Sequence, residues 1–140
     1  MITYVDTSSL LKLVIEEDGS ERAGLIWDTA DVLAGSALIV VEARAALAAA
    51  QRRARLTGAH HRRARAELAA LVDELVIVEV TEPLLADAAE LAEREALRAY
   101  DAVHLASALV IGSALVTSAD AALCEAAVRR GLHVANPLDA

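Results

Sequence analysis

The chain has 140 residues, 56 % of them hydrophobic and only 2 % aromatic, with a formal net charge of −8. That charge excludes a general nucleic-acid coat protein, and the lone cysteine, Cys124, excludes an internal disulfide or a thiolate metal cluster. The length suits one domain spanning residues 1–140.

Along the chain, "ITYV" (2–5) reads as a buried strand and "TSSLLKLVI" (7–15) as a helix capped by Thr7 or Ser8. "EEDGS" turns the chain, "ERAGLIWD" (21–28) is a short helix with Trp27 inward, and "DVLAGS" (31–36) is a second strand weakened by Gly35. Ser36 can cap a long helix over 38–56; "TGAHH" (57–61) turns, and 62–75 runs back, giving an antiparallel helical hairpin. "VIVEV" (76–80) alternates and is β-branched, a third strand. Thr81 caps a helix over 82–97 with Pro83 in its first turn.

"YDAVHLASALVIG" (100–112) is almost wholly apolar, a buried helix opening at Asp101. "ALVT" (114–117) is a strand, 118–131 a helix closed by Gly131, and "LHVANP" (132–137) the last strand. Strands alternating with helices imply an α/β/α sandwich around a mainly parallel sheet, with the hairpin protruding. The longest apolar stretch, "LASALVIGSALV", is broken by Ser107, Gly112 and Ser113 and is too short to span a bilayer. No basic n-region or cleavage site opens the chain, so a cytoplasmic protein without a membrane partner is expected.

In open α/β sheets ligands bind at the carboxyl ends of strands, near the point where strand order reverses. Asp6 follows the first strand, Asp120 follows "LVT", Asp101 opens the buried helix and Glu42 interrupts the apolar string of the long helix. Each Asp is also a good helix cap, and Glu42 alone fits a solvated face. Four carboxylates sent to one rim raise each other's pKa unless a cation joins them. Mg2+ is a hard cation that takes oxygen ligands, needs only one or two direct carboxylates and keeps its waters. His104, one turn past Asp101, is expected to be a packed, hydrogen-bonded residue, and His133 has no evident partner.

Charge is unevenly spread. Arg44, Arg52, Arg53, Arg55, Arg62, Arg63 and Arg65 fall in one stretch without acids, so the remainder of the chain carries −15 once these seven charges are taken from −8. Helical spacing places Arg44, Arg52 and Arg55 near one face. With Arg53, Arg62 and Arg63 they are candidates for phosphate contacts, and Lys12 is a further one. The bland reading is a solvated basic face.

"YVDTSSLLKL", "VVEARAAL", "YDAVHLASAL" and "LVTSADAALCEAA" resemble, in order, the motifs of PIN-domain ribonucleases, above all the VapC toxins of VapBC toxin–antitoxin pairs. The resemblance runs from about Thr3 to Pro137. It implies RNA cleavage dependent on Mg2+ or Mn2+, a homodimer and inhibition by a VapB-like antitoxin. By position it makes Asp6, Glu42, Asp101 and Asp120 the catalytic acids, with Asp6, Asp101 and Asp120 as metal ligands. It makes Ser8 a hydroxyl that orients carboxylates. The family's Thr-X-Asp frame falls on Ser118, with Thr117 one residue early, and which hydroxyl serves the site stays open. A haloacid-dehalogenase-type phosphatase would need a second Asp where Ser8 stands, and no Gly-rich nucleotide loop is present. The rival of another class is a PIN-like module that binds RNA or protein without cutting.

Overall fold

The computed structural model describes residues 1–139. Five strands form one sheet in the order β3-β2-β1-β4-β5: β1 (Ile2–Val5), β2 (Val32–Ser36), β3 (Val76–Val78), β4 (Leu115–Thr117) and β5 (His133–Ala135). Every neighbouring pair is parallel, with Thr3 opposite Leu33 on one side and Leu115 on the other. The order grows outward from β1 through β2 and β3, then restarts on the other flank with β4 and β5. The reversal therefore lies between β1 and β4, and the crevice at their carboxyl ends is where such a sheet takes ligands.

Side-chain alternation splits the core into two layers. Tyr4 faces α5 (Glu82–Glu95), α6 (Ala99–Val110) and α7 (Ala121–Arg129), together with Ala34, Val116, Leu105 and Leu123. Val5 faces the opposite layer of α1 (Thr7–Leu11), α2 (Ser20–Thr29), α3 (Ile39–Arg52) and α4 (Gly58–Asp73), with Leu10, Trp27, Ile39, Leu47 and Leu68. Successive strand residues point to opposite faces, so four residues of β1 serve both cores. The alanines let helices lie close: Ala102, Ala106 and Ala108 of α6 are all buried. At Gly35 an added Cβ would stand 3.2 Å from Leu75 Cδ1, so this glycine fits close packing between β2 and the hairpin.

Several boundaries differ from the sequence reading. The first helix stops at Leu11, with Lys12 as its C-cap, and Asp6 rather than Thr7 or Ser8 stands at its N-cap. The long helix ends at Arg52 and Ala54 takes a left-handed φ of 58°, which puts Arg53 and Arg55 in the connection. Helical spacing therefore does not align Arg55 with Arg44 and Arg52. The return helix starts at Gly58, inside the expected turn, because the Thr57 side chain accepts a bond from the His60 amide. Ser36 does not cap α3 as an N-cap residue; it accepts from the Leu38 amide at 3.1 Å just before the helix. Helix α6 opens at Ala99 with Arg98 at its N-cap, which makes Asp101 a first-turn residue rather than a cap. Thr81 caps α5 through the Leu84 amide, as its sequence position predicts.

Leu105 on α6 is 1 % exposed and Leu109, one turn on, is 36 % exposed. Leu105→Ala is expected to cost about 2–5 kcal/mol, a fall of roughly 6–15 °C in melting temperature for a chain of this size. Leu109→Ala should change the melt by no more than about 2 °C. Equal effects in paired thermal melts would contradict the burial of this face.

Candidate active site

The backbone amide of Asp6 donates to the Thr117 carbonyl at 3.0 Å, extending the β1–β4 ladder by one residue. This pins Asp6 at the switch point. Although it is the N-cap residue of α1, its carboxylate caps nothing. Its Oδ2 instead accepts from Ser8 Oγ at 2.6 Å and from Ser118 Oγ at 2.8 Å. Both hydroxyls are oriented in turn: the Ala119 amide donates to Ser8 Oγ and the Asp120 amide to Ser118 Oγ. Thr117 Oγ1 bonds Ser9 Oγ at 3.0 Å, so of the two candidate hydroxyls it is Ser118 that touches Asp6.

Glu42 enters from the first turn of α3. Its Oε1 accepts from Thr7 Oγ1 at 2.9 Å and from His104 Nε2 at 2.6 Å. His104 is 1 % exposed, its Nε2 is also 3.4 Å from Asp6 Oδ1, and its Nδ1 lies 2.7 Å from the Tyr4 hydroxyl. The histidine is thus packed and hydrogen-bonded, as expected, and it joins two of the acids. Burial pushes the ring toward neutrality, but the Glu42 hydrogen bond and the charges of Asp6, Glu42 and Asp101 outweigh it and raise its pKa. For Glu42 burial acts upward, and the hydrogen bond and charge of His104 with the Thr7 bond outweigh it, so the carboxyl titrates below its ordinary range. Tyr4 is pushed far upward by burial and remains a neutral phenol.

Asp101 and Asp120 are joined by a residue that the sequence reading passed over. Arg98 Nε donates to Asp101 Oδ2 at 3.1 Å, and Arg98 Nη2 donates to Asp120 Oδ2 at 3.0 Å. Asp120 also caps α7, its Oδ1 accepting from the Leu123 amide at 3.0 Å, so its cap reading holds while its other oxygen faces Arg98. The Asp101 pKa is raised, first by burial and then by the charges of Asp120 and Asp6, against the opposing pull of Arg98. The sequence did carry a signal for Arg98, an arginine three positions before an acid at a helix start.

The four acids are therefore linked in sequence: Glu42 to Asp6 through His104, Asp6 to Asp120 through Ser118, and Asp120 to Asp101 through Arg98. Among the described residues no three His, Cys, Asp or Glu side chains form a ready-made cluster able to hold a metal ion. A divalent cation of the Mg2+ type does not need one, since it keeps several waters. The donor set fits such an ion: carboxylate oxygens on one rim, two of them already sharing a cationic group.

The basic stretch divides. Arg55 and Arg63 line a cavity of about 440 Å³ with Lys12, His60 and Glu67. Arg44 and Arg65 line a separate groove of about 250 Å³ between α3 and α4. Arg44, Arg52, Arg53, Arg62, Arg63 and Arg65 are exposed and, among the described residues, enter no ion pair. Lys12 is buried and already engaged, donating to Glu17 Oε1 at 3.1 Å and the Asp18 carbonyl at 2.7 Å, which removes it from the phosphate candidates.

The family model described as PIN domain matches residues 3–129. Ribonuclease VapC45 and Ribonuclease VapC49, both of Mycobacterium tuberculosis, are each 40 % identical over 111 residues, covering 79 % of this chain and 77 % of theirs. FitAcB from Neisseria gonorrhoeae has the same fold with a TM-score of 0.75 at 22 % identity, covering 100 % of both chains. VapC20 of Mycobacterium tuberculosis, a sarcin-ricin loop cleaving toxin, has a TM-score of 0.69 at 23 % identity, covering 89 % of this chain and 94 % of its own.

The His104–Glu42 pair sets a pH window. A raised histidine pKa gives stability that is complete below the unfolded value of 6.5 and lost as pH rises through the folded one. A lowered glutamate pKa gives stability complete above 4.5 and lost as pH falls through the folded one. The pair therefore contributes most between these two values. With chelator present, NMR titration of the His104 ring should give a pKa above 6.5, falling in Glu42→Gln. A ring that titrates identically in both proteins would show that the pair is not charged.

Proposed function

The chain belongs to the PIN-domain family, and from that membership we propose that it is a VapC-type ribonuclease, hydrolysing RNA phosphodiester bonds at a site for Mg2+ or Mn2+. The observation that carries this reading is the linked set of Asp6, Glu42, Asp101 and Asp120 at the switch point of the sheet. The 40 % identity to two proteins named ribonuclease VapC supports it.

In this reading Asp6, Asp101 and Asp120 hold the metal, and Glu42 completes the catalytic acids. When bound, the ion supplies an activated water and offsets negative charge on the phosphate. The chain's own groups do the rest. Ser8 and Ser118 both bond Asp6 Oδ2 and leave Oδ1 turned toward His104. Glu42 has Oε1 fixed by two donors, while Oε2 has no protein donor among the described residues and is open to a water. Its lowered pKa makes it a weak proton acceptor, which favours orienting that water over deprotonating it. Asp101, its pKa raised first by burial and then by the charges of Asp120 and Asp6, gains from a cation that offsets that repulsion.

The acidic rim repels RNA, and attraction must come from elsewhere. The exposed arginines of the hairpin, Arg44, Arg52, Arg53, Arg55, Arg62 and Arg63, are the phosphate contacts of this proposal. Partners of the proposal are an RNA substrate, a VapB-like antitoxin that holds the toxin inactive and a second copy of the chain in a homodimer. Exposed apolar side chains such as Val41 and Val110, 62 % and 65 % exposed, are compatible with protein partners. The whole chain, 1–140, is taken as one PIN domain. Among the described residues no helix is long and apolar enough to cross a membrane, and a cytoplasmic location is part of the proposal.

Asp6→Asn and Asp101→Asn should each lower RNA cleavage in Mg2+ by about a hundredfold or more, with unchanged circular dichroism. Glu42→Gln should be impaired as well. Near-normal cleavage by either Asn variant would make the acids structural, and a wild-type protein that binds RNA without cutting it would support the non-catalytic module.

Changing Arg52, Arg53, Arg62 and Arg63 together to Gln should weaken RNA binding and flatten its salt dependence. Each phosphate left without its arginine lowers the slope by about 0.7 of a unit for single strands. An unchanged slope in binding isotherms between low and moderate salt would assign the hairpin to another task.

A further inference from the structure

Arg98 holds the cation position between Asp101 and Asp120 from within the chain, and we propose that it is a built-in competitor of the metal ion, a latch that must leave these carboxylates for the ion to bind. The inference rests on the metal-site reading above and adds a control on it.

Three observations carry it. The first is which oxygens are taken. Asp120 Oδ1 is committed to the Leu123 amide, so Oδ2 is its remaining oxygen, and that one accepts from Arg98 Nη2 at 3.0 Å. Asp101 Oδ2 accepts from Arg98 Nε at 3.1 Å. One planar fork thus spans carboxylates from two helices, a geometry that guanidinium makes and ammonium does not. An ion drawing on Asp120 Oδ2 lies beside the guanidinium that bonds this oxygen at 3.0 Å, and repulsion between the two cations drives the arginine off.

The second is the mounting. Arg98 lies at the N-cap of α6 in an extended conformation, φ −65° and ψ 156°. On one side, Ala96 ends α5 in a left-handed conformation, φ 52°, and Leu97 is buried at 8 % exposure. On the other, the Arg98 carbonyl accepts from the Ala102 amide at 3.0 Å. The backbone is anchored while the side chain is 78 % exposed, so the guanidinium can swing off without opening the core.

The third is contrast with the other side chain that bridges two acids of the site. The imidazole of His104 is 1 % exposed and bonded on both nitrogens, so it is a fixed part of the rim. Its bonds are to Tyr4 and Glu42, with Asp6 Oδ1 at 3.4 Å, and none is to Asp101 or Asp120. The site thus has one bridge fixed in the core and one releasable into solvent. Release is cheap in solvent, since an exposed ion pair is weak and screened. A divalent ion carries twice the charge and accepts more oxygens, so it wins at sufficient concentration and loses below it.

The test is Mn2+ binding to the full chain, read by electron paramagnetic resonance or calorimetry, in wild type, Arg98→Gln, Arg98→Lys and Asp101→Asn. Arg98→Gln should bind about three- to tenfold more tightly, the range two exposed charged contacts supply. Arg98→Lys should lie between it and wild type, because lysine keeps the charge and loses the bridge. Asp101→Asn should bind more weakly than wild type. If Asp101→Asn weakens binding while Arg98→Gln matches wild type, the latch is wrong and the metal site stands. Arg98→Lys matching wild type beside a tighter Arg98→Gln would also overturn the latch, since net charge alone would then account for the effect. If Asp101→Asn binds as wild type does, the metal-site reading itself fails and the latch fails with it.

Discussion

The carboxylates at the end of β1 and β4 are tolerable only because positive charge is built in beside them. His104 is the part the fold cannot move. It is a buried ring between Tyr4, Glu42 and Asp6, and the carboxylates around it raise its pKa against the pull of burial. Breaking a buried pair by removing one partner leaves an uncompensated charge, and that is costlier than never having built the pair. The sheet, the α6 helix and the α3 helix must therefore meet in one register, or Tyr4, His104 and Glu42 do not pair.

This constraint explains the pattern of α6. The helix is buried along most of its length, yet it carries Asp101, His104 and Ser107 at three-residue intervals. Residues three apart share a face of a helix, so these polar groups form one stripe through an otherwise apolar element. Each has a use in place. Asp101 meets Arg98, His104 meets Tyr4 and Glu42, and Ser107 donates to the Val103 carbonyl at 2.7 Å. The remaining faces are alanine, valine and leucine, and they let α6 sit between the sheet and its neighbours α5 and α7.

The charge distribution divides labour on a larger scale. Acidic groups collect at the strand ends, where parallel strands and helix starts converge, and exposed arginines collect on the hairpin of α3 and α4, where among the described residues only Arg55 enters an ion pair, with Glu17 at 3.9 Å. Under the proposed function, such a separate surface supplies the attraction for a polyanion that the acidic rim itself cannot. Helix α3 carries both, with Glu42 at its start and Arg52 at its end, so one rigid element sets the spacing between them.

Sequence alone determined the alternation of strands and helices, the parallel sheet, the cap at Thr81 and the placing of Asp6 and Asp120 just past strand ends, because periodicity, capping chemistry and position after a strand are local properties. Resemblance then put a chemistry on those acids. What tertiary structure decided is everything that depends on which oxygen meets which donor. Whether Ser118 or Thr117 faces Asp6 turns on the side-chain alternation at the end of β4, where one residue changes the face. Whether Arg55 shares a face with Arg44 turns on a left-handed Ala54 that ends the helix, which helix-favouring alanine does not announce. Arg98 and Tyr4 escaped notice for a further reason. The Arg98–Asp120 and Tyr4–His104 bonds span 22 and 100 residues, and a bond across that separation exists only once the sheet has brought its strand ends together.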